Sequence, residues 1–146
     1  MIVDIVTRGK GRPTAARRLR GKAVRILRIL RRDRAELSLA LVGNREIRRL
    51  NRRYRNKDEP TDVLSFPAGS DLSQREPILG DVVISMEKAR SQAREHRRPL
   101  DAELETLLIH GILHLLGYDH EISAQEARRM GRMEKKIQRA LCESGK

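Results

Sequence analysis

The sequence predicts an α+β fold: one domain, residues 1–146, with a small mixed sheet of about four strands packed with about five helices. Three observations predict it. A chain of 146 residues suits one compact hydrophobic core. Short apolar runs of strand length are interspersed with longer segments whose apolar residues recur at helical spacing. No repeat, linker or low-complexity stretch divides the chain.

The elements follow in order. Residues 2–6 alternate weakly and predict a short strand. Residues 13–32 predict a helix, with Pro13 near its start and Leu19, Ala23, Ile26, Leu27 and Leu30 as its apolar stripe. Arg17, Arg18, Arg20, Arg25, Arg28, Arg31 and Arg32 surround that stripe. Residues 37–42 alternate as a strand. Asn44 is a good N-cap for a helix running to about Arg53, with Ile47 and Leu50 inward. A strand over 62–66 is ended by Pro67, and residues 68–78, with Gly69, Ser70, Asp71, Ser73 and Pro77, predict a loop. Residues 79–84 predict another strand. Ser85 caps a helix of about 86–97 that Pro99 closes off. Asp101 opens an apolar helix to Leu116, which Gly117 stops. Ser123 and Glu126 form a capping box for a last helix to about Leu141.

Composition narrows the function classes. Only Tyr54, Phe66 and Tyr118 are aromatic, so the core is mostly Leu, Ile, Val and Ala. A lone cysteine, Cys142, makes no internal disulfide and argues for no oxidising compartment. No apolar run approaches the ~20 residues that span a bilayer, and the N-terminus is too short and acidic for a signal peptide. The expectation is a soluble cytoplasmic protein that meets no membrane. The net charge is +12, and residues 1–55 hold 18 Lys+Arg against 4 Asp+Glu. A basic first third beside a near-neutral remainder is a footprint for a polyanion. RNA, DNA or an anionic membrane would all satisfy that footprint; Arg17, Arg18, Arg25 and Arg28 are the candidate contacts, and with RNA as ligand they would give salt-sensitive backbone affinity. With so few aromatics, base stacking is expected to be a minor term.

The informative stretch is His110-Gly-Ile-Leu-His114-Leu-Leu-Gly-Tyr-Asp-His120. Two histidines four apart on a helix point the same way, one turn apart. Gly117 tolerates the left-handed conformation that turns the chain back, and His120 then returns as a third ligand. Three protein ligands leave a position for water, the arrangement of a catalytic zinc site with one ion per chain. The remaining histidine, His96, reads as a surface residue near a helix C-terminus. The spacing matches that of zincin proteases of the metzincin type, but Gly111 stands where they carry the glutamate base. The metal-bound water must then find its base elsewhere or rely on the metal alone. Asp119, beside a ligand, and Asp81, in a predicted strand, are candidates to orient a ligand imidazole. Asp62 is a candidate to tie down its turn. Tyr118 is expected to pack beside the site.

Residues 110–120 resemble the YbeY family of bacterial metal-dependent endoribonucleases, whose motif reads His-Gly-x-Leu-His-Leu-x-Gly-Tyr-Asp-His. Two further segments are similar to the family: Leu50-Asn51-x-x-Tyr54-Arg55-x-Lys57-Asp58-x-Pro60 through Pro67, and Leu79 through Ser85. The resemblance spans about residues 36–140. It implies zinc on His110, His114 and His120, an α+β fold, and single-strand-specific RNA cleavage in ribosome maturation. That includes the 3′ end of small-subunit ribosomal RNA, and a link to ribosome quality control. It also places the family's functional arginine on Arg55, where a guanidinium suits the charge that builds on phosphoryl oxygens. Two other readings stay open: a metallohydrolase with another substrate such as a peptide, and a non-catalytic ribosome-associated assembly factor. Oligomeric state is open too.

Overall fold

The computed structural model describes residues 1–9, 13–68 and 78–144. In chain order they form β1 (Ile2–Thr7), α1 (Pro13–Ile29), β2 (Glu36–Val42), α2 (Asn44–Arg55), β3 (Val63–Pro67), β4 (Ile78–Ser85), α3 (Met86–Glu95), α4 (Leu100–Leu115) and α5 (Ala124–Ser144). The expected loop over 68–78 falls mostly on residues 69–77, outside the described residues. The four strands make one mixed sheet in the order β1-β2-β4-β3. β1 runs parallel to β2 and β2 parallel to β4, while β3 pairs antiparallel to β4 at the edge. Pro67, which has no N–H to give a ladder, sits at the end of this edge strand.

Strand alternation divides the core between two faces. Leu37, Leu39 and Leu41 of β2 and Val82 and Ile84 of β4 pack into the main core with α1, α3, α4 and α5. On the opposite face, Val42, Leu64 and Val83 pack against Ile47 of α2. Leu104, Leu108, Ile109, Ile112 and Leu113 of α4 are all 0–1% exposed. Apolar side chains nearly all round suit a helix held between a sheet and other helices.

Local chemistry sets the helix ends and moves some of them. α1 stops at Ile29 rather than 32, and Arg31 turns the chain at φ 58°. Gly43, not Asn44, occupies the N-cap of α2. The Asn44 side chain is taken by Ser85, whose hydroxyl donates to it at 2.6 Å, so it ties α2 to the end of β4. α2 also runs on to Arg55, where Asn56 closes it in the left-handed conformation. Ser85 caps α3 as expected, accepting from the Lys88 N–H at 3.2 Å. The Ser123 hydroxyl accepts from the Glu126 N–H at 3.1 Å, but the Glu126 carboxylate binds Arg129 instead of returning, so the capping box is half made.

Candidate metal centre and its cleft

Helix α4 carries His110 and His114 on successive turns, and Gly117, at φ +95°, reverses the chain after it. The N–H groups of Gly117 and Tyr118 close on the carbonyls of His114 and Leu113 at 3.1 and 3.0 Å. The Asp119 carboxylate then accepts from the Glu121 N–H at 2.9 Å, fastening the turn that presents His120. One ligand nitrogen from each of the three histidines lies within 4.8 Å of the others. The Nε2 atoms of His110 and His114 are 3.1 Å apart. Nitrogens held at ~2.0–2.1 Å around a tetrahedral zinc ion stand ~3.4 Å from one another. The three imidazoles fit such an ion with small side-chain adjustments.

The electrostatics suit a metal as well. Burial, then the neighbouring His114 and His120, pushes the His110 imidazole down to about 4. Burial, followed by His120, lowers His114 too, and the charge of Arg55 adds to the effect. Both rings are therefore neutral near pH 7, with lone pairs free to coordinate. This has a consequence for the metal-free protein. Unfolded His110 takes up its proton near 6.5 and folded His110 only near 4, so between those values the unfolded chain binds more protons. Stability should fall as pH falls from about 6.5 to about 4. Urea denaturation of metal-free protein across that range checks it. His110→Asn should flatten the slope, and a slope unchanged by that substitution would contradict the assignment.

The centre opens into a cleft of about 650 Å³ between β3, the end of α2 and the end of α4. Arg55, the last residue of α2, lines it. Asn51, 1% exposed, fixes the following turn by donating to the Glu59 carbonyl at 2.8 Å. Asp62 ties down its own turn, accepting from the Val63 N–H at 2.8 Å and from Gln92 Nε2 at 3.2 Å. Gly111 turns out to face the sheet. A Cβ there would stand 2.6 Å from Val82 Cγ1 and 3.3 Å from Val63 Cγ2. The Ser65 hydroxyl donates to the Gly111 carbonyl at 2.8 Å, locking α4 onto β3.

Several expectations change. Asp81 is exposed and shares a strand face with Val83, on the α2 side of the sheet; it points away from α4 and does not orient a ligand. Asp119 lines the cleft and its charge acts on His114, while the hydrogen bond its carboxylate accepts comes from the Glu121 N–H. Arg18 is paired with Asp101 at 2.7 Å, and Arg25 is half-buried and donates to the Leu141 carbonyl of α5. Arg17 and Arg28 stay exposed. None of these four lines the cleft. His96 is an exposed residue at the C-cap of α3, as expected, and its Nδ1 also lies 3.1 Å from the carboxylate of Glu103, which is 2% exposed and held by Arg98. Tyr118 packs against the main core, with the Arg129 guanidinium over its ring at 4.2 Å.

Two features escaped the sequence reading. Glu134 places Oε1 4.0 Å from His110 Nδ1, on the ring edge away from His114. An acidic residue four after Met130 and three before Ile137, both buried, was the available signal. The second is Tyr54, 58% exposed, which lines the cleft beside Phe66.

The model of the endoribonuclease YbeY family matches residues 10–142. An endoribonuclease YbeY of Anaeromyxobacter sp. (strain Fw109-5) is 55% identical over 127 residues, covering 87% of this chain and 65% of that protein. This chain thus spans about two thirds of that relative's length. One from Syntrophotalea carbinolica is 45% identical over 132 residues, 88% of each chain. The solution structure of TM1509 from Thermotoga maritima is 30% identical, with a TM-score of 0.67 over 97% of this chain and 91% of that one.

Proposed function

This chain belongs to the endoribonuclease YbeY family, and on that premise we propose that it cleaves single-stranded RNA with one zinc ion held by His110, His114 and His120. The observation that carries the proposal is the presence of Arg55 and the three convergent imidazoles in one cleft. Zinc in such a site would supply Lewis acidity and would lower the pKa of a water ligand to about 7. The chain's own residues do the rest. His110 and His114, kept neutral by burial, offer nitrogens rather than protons. Glu134 lies 4.0 Å from His110 Nδ1, beyond direct hydrogen-bond reach, and would orient that ring only through a bridging water or a small closure of the site. Arg55 meets the charge that builds on the phosphoryl oxygens. The peptidase reading loses ground, because position 111 faces Val82 and a carboxylate there could not reach the centre.

In this reading the substrate is ribosomal RNA, including the 3′ end of the small-subunit RNA, and the ribosome or its small subunit is the partner, with a part in ribosome quality control. Family membership supports this. So do the exposed Arg17 and Arg28, as contacts to RNA outside the cleft. No helix among the described residues is long and apolar enough to cross a membrane, and a ribosomal substrate would place the protein in the cytoplasm.

Arg55→Ala tests the proposal. Loss of one donor to a developing oxyanion costs ~10²–10³ in kcat. The expected result is a fall of that size on single-stranded RNA, with metal content unchanged and casein untouched by either protein. An unaltered kcat would remove Arg55 from the mechanism, and casein cleavage would favour the peptidase.

A further inference from the structure

Two of the chain's three aromatic residues meet at the cleft. The rings of Tyr54 and Phe66 contact edge to face, with centroids 5.1 Å apart. Phe66 is half-buried beside the small core under α2, while Tyr54 is 58% exposed. An exposed aromatic ring is ordinary by itself; what sets Tyr54 apart is its place at the rim of the cleft that holds the three histidines. The Arg53 guanidinium lies over the Tyr54 ring at 5.4 Å from its centroid. The next residue along the chain is Arg55, which lines the same cleft as the three histidines. A volume of about 650 Å³ leaves room for a nucleotide beside the metal centre.

We propose that Tyr54, braced by Phe66 and Arg53, is a stacking platform for one unpaired nucleobase of the RNA, next to the phosphate that Arg55 contacts. This rests on the endoribonuclease reading and adds a subsite to it. Aromatic rings bind bases of single strands because every base has a π-face, with little regard to sequence. A base inside a duplex is stacked on its neighbours and cannot lie on Tyr54 without being splayed out. The platform therefore gives a physical reason for single-strand preference. It also revises the expectation that scarce aromatics make stacking unimportant: few are present, but two stand at the cleft.

The test measures binding of zinc-loaded protein to a short single-stranded RNA, read at times short compared with cleavage. Tyr54→Ala should weaken binding roughly 5- to 150-fold, the range of one lost base stack, while Tyr54→Phe stays within about twofold of wild type. An abasic nucleotide moved along the RNA should, at one position, weaken wild type and leave Tyr54→Ala unaffected, so the two proteins converge. 2-Aminopurine at that position should be quenched on binding to wild type, a readout that needs no variant. Binding unchanged by Tyr54→Ala would overturn the platform and leave the endoribonuclease reading standing. So would an alanine penalty that is the same on intact and abasic RNA at every position. Absence of RNA binding by wild type would overturn both.

Discussion

His114→Ala is expected to remove the metal and to lower RNA cleavage by more than ~10³-fold, about 4 kcal/mol of transition-state stabilisation. Two imidazoles remain after the substitution, and His120, on an exposed turn, is the more loosely held of them. His114 offers its nitrogen 3.1 Å from that of His110, so its loss opens one side of the centre. The fold should survive. The His114 ring faces the cleft rather than the main core, and the contact its residue gives the helix end, from the Gly117 N–H, uses the backbone carbonyl. Circular dichroism should match wild type while metal analysis finds little zinc. Alanine at position 114 with full activity and wild-type metal content would remove the histidine from the site.

Gly111→Glu, which completes the protease-like pattern, is expected to cost more than ~3 kcal/mol of stability and to create no peptidase. The first side-chain carbon would stand 2.6 Å from Val82 Cγ1, and Val82 is 0% exposed in the main core. Forcing extra carbon into a packed core costs ~1–3 kcal/mol, and a carboxylate pushed in without a partner adds a desolvation penalty of several kcal/mol. Moving α4 off the sheet to relieve the clash would break the Ser65 hydrogen bond to the Gly111 carbonyl. Gly111→Ala should be milder, since alanine favours a helix over glycine by about 1 kcal/mol and offsets part of the strain. Denaturant unfolding of the three proteins measures the order. A glutamate variant as stable as wild type would show that the helix can withdraw from β3 and β4.

The fold was largely legible because each element announces its own ends. Gly117 and Ser85 stop or start helices by local chemistry that acts where the sequence places it, whereas Pro99, expected to close α3, is the N-cap of α4, and α3 ends earlier, at Glu95. Where a side chain had a distant partner, the local reading failed: Asn44 left its capping role for Ser85, forty-one residues away. The same distinction runs through the site. Three histidines on one helix and its following turn are near in sequence, so their convergence could be read from spacing. Glu134 reaches His110 from another helix, and Tyr54 reaches the cleft from the far side of the sheet, so packing had to be known first. Asp81 was misjudged because strand register decides which face a residue takes, and one position either way reverses it. The basic first third illustrates the same limit, since counting charges does not show that Arg18 and Arg25 are engaged within the fold.

The most direct test of the metal centre is a zinc titration of metal-free protein with cleavage of single-stranded RNA followed at each point. The account predicts that activity rises in proportion to bound zinc, levels at about one ion per chain, and fails to rise in the His114→Ala protein. RNA cleavage at full rate by metal-free protein would contradict it.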